Sequence, residues 1–200
     1  MRILSITTRV PWPLSDGARI VMHQAVRALT RLGHDVDVFA IESEDPPHDL
    51  GDLPEFANVS VFHRPVGSRA IDAARTLFQN RPTTQLRKES PEIRPLLDAL
   101  VMKAKAESQE YGLVISDQSH IAPYGRYVSK THRLPYLFRS HNVEHEIWGR
   151  HLQRRSRSPM SSWFRSQYHK WRAFEIEEMC QSDLCAAITT RDAGSIASLC

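Results

Sequence analysis

The run Tyr136-Leu-Phe-Arg-Ser-His141-Asn-Val-Glu144 puts a histidine, an amide and a carboxylate directly after a short apolar stretch. An imidazole with an ordinary pKa of about 6.5 suits a polar contact or acid–base work at neutral pH. The same residues also suit a plainer use: His141 satisfying a buried carbonyl or capping a helix through Ile147 and Trp148, with Asn142 and Glu144 as cap residues. A second group lies near the start, in Arg9-Val-Pro-Trp-Pro-Leu-Ser-Asp16-Gly17-Ala18. A glycine opening a helix lets a phosphate come close, because it has no Cβ and the first amides point outward. The alternative is a strand-to-helix turn with Asp16 as N-cap. A third group, Ser116-Asp117-Gln-Ser-His120, either faces a cleft or caps the next helix.

Other chemistries find less support. His141 and His145 share a helical spacing, but no third ligand is evident and Gly149 stands where a His-Glu-x-x-His motif needs histidine, so no metal is expected. No Gly-x-Ser-x-Gly elbow occurs. Cys180, Cys185 and Cys200 are odd in number and lack Cys-x-x-Cys spacing, which predicts reduced thiols in a cytoplasm. From Ile147 to Phe174 no acidic residue interrupts Arg150, Arg154, Arg155, Arg157, Arg165, Lys170 and Arg172, and Trp148, Trp163, Phe164 and Trp171 are interleaved. Such a segment suits an anionic membrane surface, or a core-facing aromatic stripe with solvated arginines. The net charge of +3 is too small to argue for nucleic acid.

The elements that must carry these groups alternate strand and helix. Residues 2–7 read as an apolar strand, and residues 18–32 as a helix with Val21, Ala25, Ala28, Leu29 and Leu32 on one face, ended by Gly33. Residues 35–41 form the second strand of a parallel β-α-β unit. The acidic stretch from Glu42 to Glu55 reads as a solvated loop. Residues 59–63 are a short strand and 68–79 a helix broken at Arg81-Pro82. A long helix starts at Ser90-Pro91 or at Pro95 and closes at Tyr111-Gly112. Strands at 113–116 and 135–139, a long helix near 159–181, a strand at 184–188 and a helix at 190–199 follow. With 200 residues and 41% hydrophobic content, one domain over residues 1–200 is expected, and no apolar run approaches a membrane span.

These residues together resemble the N-terminal domain of a GT-B glycosyltransferase of the family 4 type. The resemblance runs through Pro-x-Pro with Asp16-Gly17, Leu29-Thr-Arg-Leu-Gly33-His34-Asp-Val, Arg81-Pro82, Ser140-His141-Asn-Val-Glu144, Trp171-Arg172-Ala-Phe-Glu175 and Ser182-Asp183-Leu-Cys-Ala-Ala-Ile188. It implies an α/β, Rossmann-like doubly wound, mainly parallel sheet, with a C-terminal donor-binding domain absent from this chain. It also implies a retaining transfer of sugar from a nucleotide-sugar to a carbohydrate or lipid-linked acceptor, without a metal cofactor. Gly17 and Ala18 would sit by the donor diphosphate, Ala18 standing where the family usually has a second glycine. His141 would reach the transferred sugar. Arg9, Asp117, His120 and Arg139 are the acceptor candidates, and Arg154, Arg155, Arg157 and Trp163 the candidates for peripheral contact with the inner face of a membrane. The alternatives are a nucleotide-sugar epimerase of the same fold and a non-catalytic membrane- or partner-binding module.

Overall fold

The computed structural model describes residues 1–45, 49–65, 67 and 69–199. Six strands form one sheet: β1 (Arg2–Thr7), β2 (Asp35–Glu42), β3 (Asn58–His63), β4 (Tyr111–Asp117), β5 (Tyr136–Ser140) and β6 (Leu184–Ala187). All pairs are parallel, in the order β3-β2-β1-β4-β5-β6. Parallel neighbours need crossovers, and helices supply most of them. α1 (Gly17–Arg31) joins β1 to β2, and α2 (Arg69–Phe78), α3 (Thr83–Leu86) and α4 (Ile93–Ala106) lie between β3 and β4. α5 (Ala122–His132) precedes β5, α6 (Glu144–Arg154) and α7 (Ser161–Cys180) precede β6, and α8 (Thr190–Ala197) follows it.

Side chains alternate along a strand, so a sheet covered on both faces gathers two cores. Val36, Val38 and Ala40 of β2 pack with Val10, Val26 of α1 and Leu53. Phe39 and Ile41 point the other way and join Leu4 and Ile6 of β1 with Leu97, Tyr124 and Val128 of α4 and α5. The sheet is therefore doubly wound, the α/β class that the alternating pattern predicts. Helix α5 comes very close to β4 and β5: a Cβ on Gly125 would collide with the side chains of Ser116 and Tyr136.

The structure corrects several expectations. Helix α1 starts at Gly17, and it buries Arg19, Met22, His23 and Val26 rather than the apolar stripe, leaving Leu32 73% exposed. Partners turn the helix: Arg19 donates to Val10 O at 3.1 Å and His23 Nε2 meets Asp52 Oδ1 at 2.7 Å. Helix α4 begins at Ile93, beyond Ser90 and ahead of Pro95. Pro95 falls in its first turn, where an N–H has no intrahelical acceptor. Tyr111 and Gly112 open β4 instead of closing α4, and Ser108, at φ 57, makes the reversal. In the acidic stretch Glu44, Asp45, Asp49 and Glu55 are exposed as expected, and Glu42 departs from that reading. Glu42 is 2% exposed and accepts the amides of Val10, Ser43 and Glu44 at 3.2, 2.9 and 3.1 Å, and Trp12 lies where a Cβ on Gly51 would clash. Ser68 and Cys200, named in the sequence reading, lie outside the described residues. Cys185 is a free thiol, pushed up to about 11 by burial, whereas Cys180 is disulfide-bonded rather than reduced. Pairing follows Cα separation in the fold, which linear spacing does not reveal.

Candidate active site

The strand order reverses between β1 and β4, and in open α/β sheets ligands bind at the carboxyl ends of the strands at that point. Register sets Thr7 of β1 beside Asp117 of β4, and Asp117 beside Arg139 of β5. The residues that follow these strands carry the candidate chemistry.

His141 is buried at the end of β5, and its Nε2 is hydrogen-bonded to Asp117 Oδ1. Asp117, only 2% exposed, also receives Arg139 Nη1 at 3.1 and 2.9 Å on its two oxygens. Arg139 Nη2 donates to Val21 O of α1 at 3.3 Å. On the other side of the ring, Gln118 Nε2 donates to His141 Nδ1 at 3.2 Å, while Gln118 Oε1 accepts from Thr8 Oγ1 at 2.7 Å. The structure thus brings His141, Asp117 and Arg139 into one chain of hydrogen bonds. Asp117 and Arg139 are engaged with each other beneath the imidazole.

Gly17 opens α1 with open space around its Cα. Asp16 caps the helix, accepting from Arg19 N at 3.0 Å, and Arg9 Nη1 reaches it at 3.2 Å. The Arg19 amide, helped by Arg9 and Arg19 charge and the Ala18 amide, holds the Asp16 carboxyl below its usual range. The N-terminus of α1 is thus already capped by a carboxylate, with Arg9 beside it.

Arg9 and His120 form a second group with Lys88. Burial, with Lys88 and Arg9 nearby, brings His120 down to about 4, so its ring is neutral at neutral pH. That ring stands edge-on to Trp171, 4.9 Å between centroids, and makes no hydrogen bond to another side chain among the described residues. Lys88 Nζ donates to Thr8 O, Ile41 O and Ser43 Oγ at 2.9, 3.4 and 2.6 Å, tying the ends of β1 and β2 together. Burial brings it down to about 8, with Arg9 and Arg64 lowering it further against the pull of Glu42 and Glu44.

Glu144 does not cap α6. Glu175 of α7 does so from outside: one oxygen takes Glu144 N and the other His145 N, each at 2.8 Å. Glu175 also meets His145 Nδ1 at 2.8 Å and Ser119 Oγ at 3.2 Å. A fully buried carboxylate at a helix N-terminus satisfies amides that otherwise lack acceptors. Burial and the neighbouring Glu175 then push Glu144 up to about 7. His141 and His145 thus turn to different carboxylates, and among the described residues no group of three or more His, Cys, Asp or Glu comes together as a metal site.

Arg154, Arg155 and Arg157 are exposed where α6 meets α7. Trp163 is half-buried, edge-on to Trp148 at 5.5 Å and Phe164 at 5.0 Å, and Arg155 lies over the Phe164 ring at 5.1 Å. The aromatics pack between the two helices while the arginines face solvent. Among the described residues no helix is long and apolar enough to cross a membrane.

Sequence reasoning missed Lys88 and the capping role of Glu175, and it placed Gln118 in the strand-end group without a role of its own. Of the two missed, Glu175 left a signal: it lies on the same helical face as Trp171 and Glu178, and a carboxylate on a buried face demands a partner.

No protein-family model matches the chain, and neither does any curated protein. Its fold is shared with solved structures. HepE of Anabaena in complex with UDP has a TM-score of 0.55 at 14% identity, over 100% of this chain and 41% of that chain. Sucrose-phosphate synthase of Thermosynechococcus elongatus has a TM-score of 0.57 at 13% identity, over 99% and 45%. Os79 of O. sativa in complex with UDP has a TM-score of 0.53 at 13% identity, over 98% and 48%. The chain spans less than half of each of these proteins, and at such identities the likeness is one of fold.

Proposed function

We propose that this chain is the N-terminal, acceptor-side half of a family 4 type GT-B glycosyltransferase, which moves a sugar with retention from a nucleotide-sugar to a carbohydrate or lipid-linked acceptor. The observation that carries the proposal is the reversal of strand order between β1 and β4, with buried His141 bonded to Asp117 at the end of β4 and Gly17 opening the helix that follows β1. The fold shared with two proteins crystallised with UDP supports a nucleotide-sugar as donor. In this reading Gly17 and Ala18 approach the diphosphate, His141 contacts the transferred sugar, and Arg9 and His120 face the acceptor. Asp117 and Arg139 orient His141. No metal takes part, and the protein works in the cytoplasm, with Arg154, Arg155, Arg157 and Trp163 resting on the inner face of the membrane.

The chain alone transfers no sugar in this reading. It needs its C-terminal domain, because positioning and charge stabilisation of the leaving diphosphate supply most of the rate. The test screens nucleotide-sugars for slow hydrolysis by the full-length protein. One donor should be hydrolysed, with a loss of roughly a hundredfold or more in His141→Ala. Turnover by the 200-residue chain, or equal hydrolysis by the variant, would sink the proposal.

A nucleotide-sugar epimerase is the second reading, for which half-buried Glu144, at the start of the helix that follows β5, is the acid–base candidate. Analysis of products separates the two, since an epimerase returns an intact nucleotide-sugar.

A further inference from the structure

We infer that Gln118 is a positioning residue that fixes which nitrogen of His141 carries the proton, presenting Nδ1 as a lone pair. Gln118 is not glycine, yet it sits at φ 93 and ψ 151, a region that side chains rarely enter. Backbone strain of this kind persists only where the surroundings hold it. Three bonds do so here. Gln118 N donates to Arg139 O at 2.9 Å, Oε1 accepts from Thr8 Oγ1 at 2.7 Å, and Nε2 donates to His141 Nδ1 at 3.2 Å. One residue therefore links the ends of β1, β4 and β5.

Thr8 Oγ1 donates to Oε1 of the amide and Nε2 turns to the ring. A hydroxyl donating to Oε1 leaves Nε2 as the group facing the ring, and an N–H can only meet a nitrogen lone pair. The imidazole must then carry its proton on Nε2, where Asp117 accepts it. Arg139 Nη1 donates to both oxygens of Asp117, so that side of the carboxylate faces donors only. Neither end of the ring is left to choose its tautomer.

The consequence for recognition deepens the transferase reading and rests on it. A ligand that displaces the Gln118 amide meets an acceptor. It must bring a donor, such as a sugar hydroxyl, and not a phosphate or carboxylate oxygen.

Long-range proton–nitrogen NMR on the nitrogen-15-labelled chain reads the ring directly, with His141 assigned by the signals lost in His141→Asn. Wild type should show an unprotonated Nδ1 and a protonated Nε2. Gln118→Glu keeps the shape but replaces the donor with an acceptor, and Nδ1 should shift to the protonated position while Nε2 stays protonated. Gln118→Gly adopts the same backbone without strain. It should fold, keep the Nε2 proton that Asp117 accepts and leave Nδ1 open to protonation, whereas a merely structural Gln118 predicts altered thermal stability with unchanged ring nitrogens. A wild-type ring protonated on Nδ1, or ring nitrogens in Gln118→Glu identical to wild type, would overturn the assignment. If Gln118→Glu fails to fold, the wild-type and Gln118→Gly spectra decide. These spectra need no substrate, so a full-length protein that hydrolyses no donor would remove the transferase reading and leave this result standing.

Discussion

At the scale of single residues, the site is built from groups whose environments move them apart. His120 is held neutral by burial and two nearby cations, while Glu144 is pushed up to about 7 by burial and by Glu175. The sign for Glu144 is that of a carboxylate raised above its ordinary 4.5. What it lends to stability is whole below its unfolded value and is lost as pH rises through about 7. Glu144→Gln lacks that loss. It should melt with wild type near pH ~4 and be more stable near pH ~8, by on the order of 2 kcal/mol. Equal melting across the range would show that Glu144 ionises freely. His141, Asp117 and Gln118 are legible in the sequence, because polar residues directly after apolar strands stand out. Lys88 is hidden, because the group that defines it, Ile41 O, lies 47 positions away, and the role of Gln118 is hidden because His141 Nδ1 lies 23 positions away.

At the scale of elements, strands were easier to read than helix ends. Four-residue to eight-residue strands with parallel crossovers fix a sheet almost by themselves, and all six strands fall within two residues of their expected bounds. The buried face of α1 was not legible, because periodicity weighs apolar side chains and this helix turns on Arg19 and His23, which are buried through their partners. The start of α6 was misread for a related reason: its cap comes from another helix. Glu175→Gln should therefore cost about 3 kcal/mol, since buried amides and His145 lose a charged acceptor. Amide hydrogen exchange at Glu144 and His145 should speed up, while β1 exchanges as before. Uniform acceleration across the sheet would instead mean that Glu175 supports the whole fold and not this one helix start.

At the scale of the whole molecule, a doubly wound sheet places its chemistry along one edge and leaves the α6–α7 junction to one side as an exposed basic tip. If that tip rests on a membrane, each arginine contributes about 1 kcal/mol against anionic lipid. Replacing Arg154, Arg155 and Arg157 together by serine should then weaken sedimentation with phosphatidylglycerol vesicles roughly a hundredfold. Equal binding to purely phosphatidylcholine vesicles, or no change in the triple variant, would leave the arginines as ordinary solvated charges. The same tip has a consequence for how the chain tolerates being cut. Arginine-specific proteases will find Arg154, Arg155 and Arg157 first, yet Trp148 against Trp163 and the Glu175 carboxylate on the first turn of α6 grip the two sides of the break. A nicked molecule should run as one species on a native gel and as two fragments when denatured. The junction is thus a natural place to splice in a tag or a probe without disturbing the crevice.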